Sequence, residues 1–381
     1  MNPHEEALSR LFAADGFPAD AVGLQKLLGG RKLIVYGAGE AFHWISEILT
    51  RWYGYVPDIV LDRRFKTGAT FEGIPAFPPS AYQPSEEEKR EAVVILCIGK
   101  QEYHREILGT VRDLGFRNII SLMDIYEIHN PFRLPEALQR KGFNYYPEEK
   151  DRIFAALGLL ADEESREIYV RLLQTHMQRK PVPLPSRPRG EQYFPRDVKL
   201  TRGYSRFVNC GAYDGDTIRS LNEVQGRVEE IVCFETEPRI FQRLVEYLAR
   251  AKDQLAERVV AIPCAVYSGE GMVRFISGGG LGSRISEEGD SFVQSVALDH
   301  VLPGFKPSFI CMDVEGAEAE VLKGAEGLIR ANRPDLGVCV YHAPNHAWEI
   351  PLYLHGLGLG YRLYLRNYTS FTTETVLYAT A

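Results

Sequence analysis

Short apolar runs alternate with amphipathic stretches in the first third of the chain. Apolar runs at residues 32–36, 58–61, 93–98 and 118–121 predict strands, and residues 42–53 and 103–114 have helical spacing. Strands that alternate with helices form parallel sheets joined by right-handed crossovers. The pattern therefore predicts a small α/β domain of the Rossmann-like type over residues 1–125.

The same alternation returns in the C-terminal half. Predicted strands lie at residues 205–210, 230–235, 259–264, 309–313, 335–341, 362–366 and 375–379. The last two have no helix between them, so we expect a hairpin whose final strand is antiparallel. Residues 273–276 and 292–297 predict an additional hairpin, connected through the glycine-rich segment 278–283. A second α/β domain is therefore predicted over residues 193–381.

Residues 126–192 separate the two predicted domains. Most of this segment has helical spacing, with apolar residues on one face and charged residues on the other. The run from Pro181 to Pro188 holds four prolines, which exclude a helix and favour an extended chain. We therefore expect a helical segment followed by a proline-rich linker.

Length and composition are ordinary for a soluble globular protein. The 381 residues are 45% hydrophobic and 25% charged, with a formal net charge of −7. This charge argues against a general nucleic-acid binder. No apolar run approaches the ~18 residues of a membrane span, and the N-terminus lacks a signal-peptide pattern. We expect a cytoplasmic protein with a small-molecule or glycan partner, and leave a homodimer open.

The six cysteines point to the same compartment. They lie in or at the end of apolar strand-like runs and none forms a C-x-x-C pair: Cys97, Cys210, Cys233, Cys264, Cys311 and Cys339. Buried free thiols in a reducing compartment explain this pattern better than a zinc site or a disulfide framework.

The segment F-V-N-C-G-A-Y-D-G-D-T at residues 207–217 carries the strongest chemical signal. Gly211 and Gly215 allow a sharp turn and a close approach to a ligand, and Glu235 ends the next strand, where a carboxylate can accept ribose hydroxyls. The loop has neither G-x-G-x-x-G nor G-K-[ST]. Its Asp214 and Asp216 would repel a pyrophosphate but suit the ammonium end of S-adenosylmethionine.

Several motifs together resemble the FkbM-type methyltransferases, from about Tyr193 to the C-terminus. They are V-N-C-G-A-Y-D-G-D-T, F-E-T-E-P, M-D-V-E-G-A-E, Y-H-A-P-N-H-A-W-E-I-P-L-Y, Y-R-L-Y-L-R and E-T-V-L-Y-A. Asn209 and Cys210 depart from the Asp and the Val or Ile usual in the first motif. The resemblance implies a class I S-adenosylmethionine-dependent enzyme with a seven-stranded sheet and an antiparallel last strand. It also implies O-methylation of a sugar, glycan precursor or secondary metabolite.

The resemblance and the sheet pattern also select residues for the cofactor. Ligands of open α/β sheets bind at the carboxyl ends of the strands. The residues expected to bind the cofactor are Asn209, Gly211, Ala212, Asp214, Gly215, Thr217, Glu235, Thr236, Ala265, Val266 and Asp313. Ala265 and Val266 could instead be core residues, and Thr217 could be an ordinary residue at a helix start.

Three residues are candidates for catalysis. A sugar hydroxyl is a very weak acid, so a general base or a divalent metal must help to remove its proton. Asp313 and Glu315 follow one predicted strand and His342 ends the next. His342 has the ordinary pKa of a base near neutrality, and the three side chains could equally bind Mg²⁺ or Mn²⁺. Glu318, at the start of the following helix, could act with them, and helix capping by Glu315 and Glu318 and a structural role for His342 remain alternatives.

The N-terminal domain carries a weaker signal. Gly37-Ala38-Gly39 follows the first strand, but Phe42 stands where the third glycine of a nicotinamide fingerprint would be, and Asp62 ends the second strand. We expect a scaffold or partner-binding role. Two competing functions stay open for the whole chain: a sugar-nucleotide or nicotinamide enzyme that uses this domain, and a non-catalytic interaction protein.

Overall fold

The computed structural model describes residues 2–13, 21–98, 101–128, 145–179, 182–277, 283–287, 289–369 and 372–381. The chain divides into two compact units. The N-terminal unit comprises Glu6–Glu149 and Arg171–Pro183, and the C-terminal unit comprises Met1–Glu5, Lys150–Val170 and Leu184–Ala381. The segment predicted at residues 126–192 contributes to both units. Residues 278–282 of the predicted glycine-rich connection lie outside the described residues.

The N-terminal unit contains a six-stranded sheet in the order β3-β4-β2-β1-β5-β6. Its strands are β1 Leu33–Tyr36, β2 Ile59–Leu61, β3 Ala69–Phe71, β4 Ile74–Phe77, β5 Val93–Leu96 and β6 Asn118–Ser121. All neighbouring pairs are parallel except β3 and β4. The pattern predicted β1, β2, β5 and β6 but not the β3–β4 hairpin, because β3 and β4 are partly exposed and form no continuous apolar run.

Residues of β1 face two different cores. Leu33 and Val35 belong to one buried cluster, whereas Ile34 and Tyr36 belong to another. Successive side chains of a strand point to opposite faces, so the sheet is covered on both sides. A continuous apolar run is the sequence signature of such a strand, which is why β1 was predicted.

The C-terminal unit contains eleven described strands. In chain order they are β7 Arg206–Cys210, β8 Val228–Phe234, β9 Ala256–Ile262, β10 Ala265–Val266, β11 Gly271–Ile276, β12 Arg284–Ile285, β13 Ser291–Val296, β14 Phe309–Met312, β15 Asp335–Cys339, β16 Arg362–Asn367 and β17 Thr375–Thr380. Seven of them form a sheet in the order β16-β17-β15-β14-β7-β8-β9. β17 is antiparallel to both of its neighbours, which confirms the predicted α/β fold with its antiparallel last strand.

A smaller four-stranded sheet has the order β10-β13-β11-β12. β11 and β13 pair antiparallel, as the predicted hairpin requires. The predicted strand at residues 259–264 ends earlier, at Ile262, and Ala265 and Val266 pair with β13 instead. Pro263 separates the two strands; it has no N–H to donate to a sheet, so it marks the change of partner.

The helices follow the same chain order. They are α1 Pro3–Ala13, α2 Ala21–Leu28, α3 Glu40–Ile48, α4 Glu86–Glu91, α5 Gln101–Asp113, α6 Leu122–Ile128, α7 Tyr145–Glu148, α8 Lys150–Leu159, α9 Glu163–Gln178, α10 Asp216–Gln225, α11 Pro238–Leu255, α12 Leu298–Val301, α13 Glu318–Gly324, α14 Glu326–Asn332 and α15 His346–Gly356. A π-helical turn, Leu49–Tyr53, extends α3. Within the described ranges no helix is long and apolar enough to cross a membrane.

The cysteines carry free thiols. Five of the six are buried and Cys264 is partly exposed, and none forms a disulfide. Burial raises the pKa of the Cys97, Cys210 and Cys233 thiols, so these groups stay protonated and act as small core residues.

Candidate functional site

A cavity of about 460 Å³ lies at the carboxyl edge of the seven-stranded sheet. Its lining includes residues that follow five strands: Gly211 after β7, Glu235 after β8, Cys264 after β9, Asp313 after β14 and Tyr341 after β15. Loops at this edge of a parallel sheet form the usual ligand crevice of α/β proteins. The cavity therefore occupies the position where the sequence predicted a ligand.

Eight of the predicted site residues line this cavity. They are Gly211, Thr217, Glu235, Thr236, Ala265, Val266, Asp313 and Glu315. The other five do not belong to its lining: Asn209, Ala212, Asp214, Gly215 and His342. Asn209 and Ala212 are fully buried, Asp214 forms an ion pair with Arg219, and Gly215 caps α10.

Only glycine fits at position 211. Its φ is +86°, and a Cβ atom there would lie 1.9 Å from the Asp313 carbonyl oxygen. The N–H groups of Gly211 and Ala212 both donate to the Phe234 carbonyl. The turn after β7 is thereby held against both β8 and the residues that follow β14.

The Glu235 carboxylate is fixed at the cavity wall. Its Oε2 accepts the Tyr213 N–H at 2.9 Å, and its Oε1 accepts the Glu237 N–H at 2.8 Å. Burial raises the pKa of Glu235, while these N–H groups oppose the rise. Each carboxylate oxygen can accept a second hydrogen bond, so a bound diol could still be recognised.

Backbone strain is concentrated around the cavity. Seven described non-glycine residues have positive φ, and four of them line the cavity: Tyr193 at 67°, Tyr213 at 47°, Glu315 at 53° and Glu374 at 59°. Non-glycine residues in this region carry a conformational cost that tertiary contacts must offset. Such residues tend to cluster where side chains are held for binding or catalysis.

The cavity has an excess of negative charge. Its lining includes five acids, Asp216, Glu235, Asp313, Glu315 and Glu374, but two arginines, Arg189 and Arg284. Apolar contact surface is also present, from Ile240, Val266, Phe275 and Ile285 among others. A ligand with a cationic end and a flat apolar part would match both properties.

Asp313, Glu315 and His342 converge at one side of the cavity. His342 Nε2 lies 3.5 Å from Asp313 Oδ1 and 3.6 Å from Glu315 Oε2. β14 and β15 are parallel neighbours, so the residues that follow their carboxyl ends meet at the same edge. The structure thus brings together the three residues that the sequence selected for catalysis.

Glu318 contacts His342 on the side of the ring that faces away from Asp313 and Glu315. Its side chain is fully buried, and its Oε1 lies 2.7 Å from His342 Nδ1. The same oxygen accepts the Val314 N–H at 3.0 Å, and Oε2 lies 3.2 Å from His346 Nδ1. The carboxylate therefore orients the His342 ring with its other nitrogen toward Asp313 and Glu315.

Tyr193 is a site residue that the sequence did not reveal. Its hydroxyl donates to Asp313 Oδ2 at 2.8 Å and lies 3.0 Å from Cys339 Sγ. It precedes the first strand of the sheet and belongs to none of the motifs that end strands, so periodicity offered no signal. Glu374, just before β17, was missed for the same reason.

The cluster shifts the pKa values of its members. Burial raises the pKa of Asp313 to about 7, although nearby His342 opposes the rise. Burial lowers the pKa of His342, but the charges of Glu318, Glu315 and Asp313 outweigh it and bring that pKa to about 9. Burial also raises the pKa of Glu318, yet His342 and His346 hold it well below its ordinary value. Positive charge is thus favoured at His342.

Comparisons with known proteins agree with this architecture. Residues 209–368 match the sequence model of the Methyltransferase FkbM domain. The fold is similar to that of the methyltransferase FkbM from Methylobacillus flagellatus KT, with a TM-score of 0.75 and 19% identity over 99% of this chain and 98% of that chain. No curated protein matches the chain in sequence.

Two further solved structures align less well. Fibrillarin from Aeropyrum pernix, in complex with S-adenosyl-L-methionine, has a TM-score of 0.31 and 13% identity over 50% of this chain and 73% of its own. The O-methyltransferase TomG from Streptomyces achromogenes has a TM-score of 0.29 and 12% identity over 58% and 99%. The match to the Methyltransferase FkbM domain therefore covers residues 209–368, and the similarity to the Methylobacillus flagellatus structure is one of fold.

Proposed function

We propose that the protein is a class I S-adenosylmethionine-dependent O-methyltransferase, and that its acceptor is a hydroxyl of a sugar, glycan precursor or secondary metabolite. One observation carries the proposal: within the FkbM domain, the cavity brings a fixed acidic residue after β8, Glu235, next to the glycine turn after β7. This is the arrangement by which α/β enzymes hold the ribose of a nucleoside cofactor.

The cavity lining fits S-adenosylmethionine, which supplies an activated methyl group when bound. Glu235 would accept hydrogen bonds from the ribose hydroxyls, and Ala265, Val266 and Ile240 would contact the adenine. Asp216 and Asp313, which line the same cavity, would attract the cationic part of the cofactor. The surplus of acids over arginines supports this choice, because a dinucleotide or a nucleoside triphosphate would be repelled.

We assign removal of the acceptor proton to the cluster of Asp313, Glu315 and His342. The carboxylates of Asp313 and Glu315 both lie within 3.6 Å of His342 Nε2, beside the cavity. Methyl transfer from a sulfonium needs alignment of the acceptor oxygen more than covalent help, so the residues that position that oxygen decide the rate. A base in this cluster, or Mg²⁺ or Mn²⁺ bound to it, would serve.

The remaining expectations belong to the same proposal. The net charge of −7 favours a small-molecule or glycan acceptor over a nucleic acid, and the free thiols fit the cytoplasm. We keep the domain limits 1–125, 126–192 and 193–381 as the functional division of the chain. A homodimer is compatible with all of these features.

Calorimetry with S-adenosylhomocysteine tests the cofactor, using the full chain. We expect saturable binding at one site per chain. Radiolabelled methyl donor, supplied with panels of free sugars, sugar nucleotides and hydroxylated metabolites, then tests the acceptor class. Failure to bind S-adenosylhomocysteine would contradict the proposal, and label transferred to an amine or a thiol acceptor would contradict O-methylation.

A further inference from the structure

We propose that Glu237 is a positioning residue for the cofactor. Its carboxylate ties together the facing ends of β11 and β12, and so holds Phe275 and Ile285 in place against the base of the nucleoside. The ligand in this inference rests on the proposed function, whereas the contacts that Glu237 makes are properties of the chain itself.

The Glu237 side chain contacts the small four-stranded sheet. Glu237 immediately precedes α11, but its carboxylate does not cap that helix. The residue is 5% exposed, and its Oε2 accepts the Ser277 hydroxyl at 2.6 Å and the Ser283 hydroxyl at 3.4 Å. A buried carboxylate needs hydrogen-bond donors in place of water. One oxygen of Glu237 therefore brings two serine hydroxyls to the same point.

The two serines continue the register of β11 and β12. The ladder between these strands ends with Ile276 opposite Arg284, so Ser277 and Ser283 are the next two positions in register. β12 has two residues and lies at the edge of its sheet. Because so short an edge strand gains little from its own ladder, the hydrogen bonds to Glu237 add substantially to what holds it.

The face of the ladder that carries the serines is also the face toward the cavity. Side chains alternate along a strand, so Ser277 shares a face with Phe275, and Ser283 shares it with Ile285, which lies opposite Phe275. Phe275 and Ile285 both line the cavity. Met272, on the other face of β11, is 60% exposed, whereas Phe275 is 4% exposed. Glu237 therefore holds the side of the ladder that meets the ligand.

The base is the part of the ligand that this wall suits. Phe275 and Ile285 present apolar surface, and adenine is the flat, weakly polar part of the proposed cofactor. Ala265 and Val266, for which we propose a contact with adenine, form β10 of the same four-stranded sheet. We therefore place the base between β10 and the ladder of β11 and β12.

Glu237 also contacts the other half of the proposed nucleoside site. Its N–H donates to Glu235 Oε1 at 2.8 Å, and Glu235 is the carboxylate proposed for the ribose. The backbone of Glu237 thus fixes the ribose carboxylate, while its side chain fixes the wall for the base. One residue sets the distance between the two halves of the site without being part of the cavity lining.

Calorimetry with S-adenosylhomocysteine and with adenosine tests the inference on the full chain. Glu237→Gln keeps the backbone N–H to Glu235 but removes the charged acceptor of the serine hydroxyls, so the dissociation constants of both ligands should rise by about ten-fold. A similar factor for adenosine, which lacks the homocysteine part, places the effect at the nucleoside. Glu246→Gln is the matched control: this exposed carboxylate lies on α11 and accepts the Gln242 amide, so both ligands should bind as in the wild type.

The serines test the same contacts from the other side. Ser277→Ala combined with Ser283→Ala leaves the Glu237 charge in place and alters two residues that are at least partly exposed, so it covers the case in which Glu237→Gln fails to fold. This double variant should raise both dissociation constants by a similar factor. Adding Glu237→Gln to it should cause little further loss, because all three changes remove the same hydrogen bonds. A general destabilisation by Glu237→Gln would instead multiply with the effect of the serines.

Trypsin cleavage after Arg284, identified by mass spectrometry, gives a readout that needs no ligand. Cleavage should be faster in Glu237→Gln than in Glu246→Gln, because β12 opens more often without its hydrogen bonds to Glu237. If the wild type binds both ligands and neither the Glu237 variant nor the serine variant changes their affinity, the inference is overturned and the proposed function stands. If the wild type binds neither ligand, the proposed function fails, and equal cleavage rates would then overturn the role of Glu237 as well.

Discussion

Tyr193 and Asp313 are joined by a hydrogen bond of 2.8 Å, from the tyrosine hydroxyl to Oδ2 of the aspartate, across 120 residues of sequence. Tyr193 is itself fixed: its N–H donates to the Tyr378 hydroxyl at 2.9 Å, and its carbonyl accepts the Tyr204 hydroxyl at 2.9 Å. Its left-handed φ of 67° is held by these contacts. The segment before the sheet therefore sets the orientation of a carboxylate at the candidate site.

Replacing Tyr193 by Phe should lower turnover more than binding. The variant loses a hydrogen bond to a carboxylate but keeps the ring, so we expect kcat to fall by about ten-fold, which corresponds to about 1.4 kcal/mol, with S-adenosylhomocysteine affinity nearly unchanged. Steady-state kinetics and calorimetry measure the two effects. Tyr361→Phe, which removes a hydroxyl bonded to the Pro334 carbonyl outside the cavity lining, is the control. Equal kcat in both variants would mean that Tyr193 does not position Asp313 for the reaction.

Replacing Glu235 by Ala should weaken cofactor binding. The change leaves the ribose hydroxyls without a charged acceptor, so the binding free energy of S-adenosylhomocysteine should become less favourable by about 1–3 kcal/mol, measured by calorimetry. Glu229→Ala removes a carboxylate on β8, the strand that Glu235 follows; Glu229 pairs with Arg206, so this variant should bind normally. Unchanged affinity in Glu235→Ala would contradict the ribose assignment.

Chelation separates a cation from a simple base at the Asp313 cluster. If a cation assists, a chelator should abolish turnover and Mn²⁺ or Mg²⁺ should restore it. If Asp313 accepts the proton unaided, the chelator should not change turnover. Turnover should then fall as the pH drops through about 7, because burial raises the pKa of this carboxyl to about 7 and its protonated form cannot act as a base. Near-normal turnover of both Asp313→Asn and His342→Ala with the true acceptor would show that the cluster is structural.

The N-terminal unit should not bind a nicotinamide cofactor. Phe42 occupies the place of the third glycine; it is fully buried and its ring packs edge-on against Phe71 at 5.0 Å. Asp62, the acid after β2, accepts the Ala38 N–H and pairs with Arg64. Helix α3 therefore cannot pack as closely against β1 as the nicotinamide-binding fingerprint requires. Nicotinamide binding can be measured by the fluorescence of the purified full chain and by titration with NADH. A nicotinamide cofactor that co-purifies with the protein would refute the prediction.

Replacing Arg366 by Leu should destabilise the C-terminal unit. The Arg366 side chain is 2% exposed and forms ion pairs with Asp162 and Asp197, so its loss leaves Asp162 without its cation, whereas Asp197 keeps its ion pair with Arg187. Loss of one partner of a buried pair costs about 3–5 kcal/mol, and we expect the lower end because both acids are about one-third exposed. Denaturant unfolding measures the change. Arg362→Leu, on the same strand but exposed, should change stability by less than about 1 kcal/mol.

The order of strands and helices was determined by local pattern. Continuous apolar runs such as β1 and β14 are buried on both faces, so they were recognisable without any knowledge of their partners. The antiparallel β17 followed from the missing helix before it. The β3–β4 hairpin and the break at Pro263 were not foreseen, since β3 and β4 are partly exposed and form no continuous apolar run, and β10 has only two residues.

The convergence of Asp313, Glu315 and His342 was also foreseeable, because the ends of adjacent parallel strands share one edge of the sheet. The sequence alone could not decide how those groups are held. Tyr193 reaches Asp313 from outside the sheet motifs, and Glu318 turns from a helix start to the buried side of His342. Periodicity describes neighbours along the chain, whereas these contacts depend on the packing of segments far apart in sequence. The tertiary structure therefore decided the burial, the pKa shifts and the ring orientation that give the cluster its chemistry.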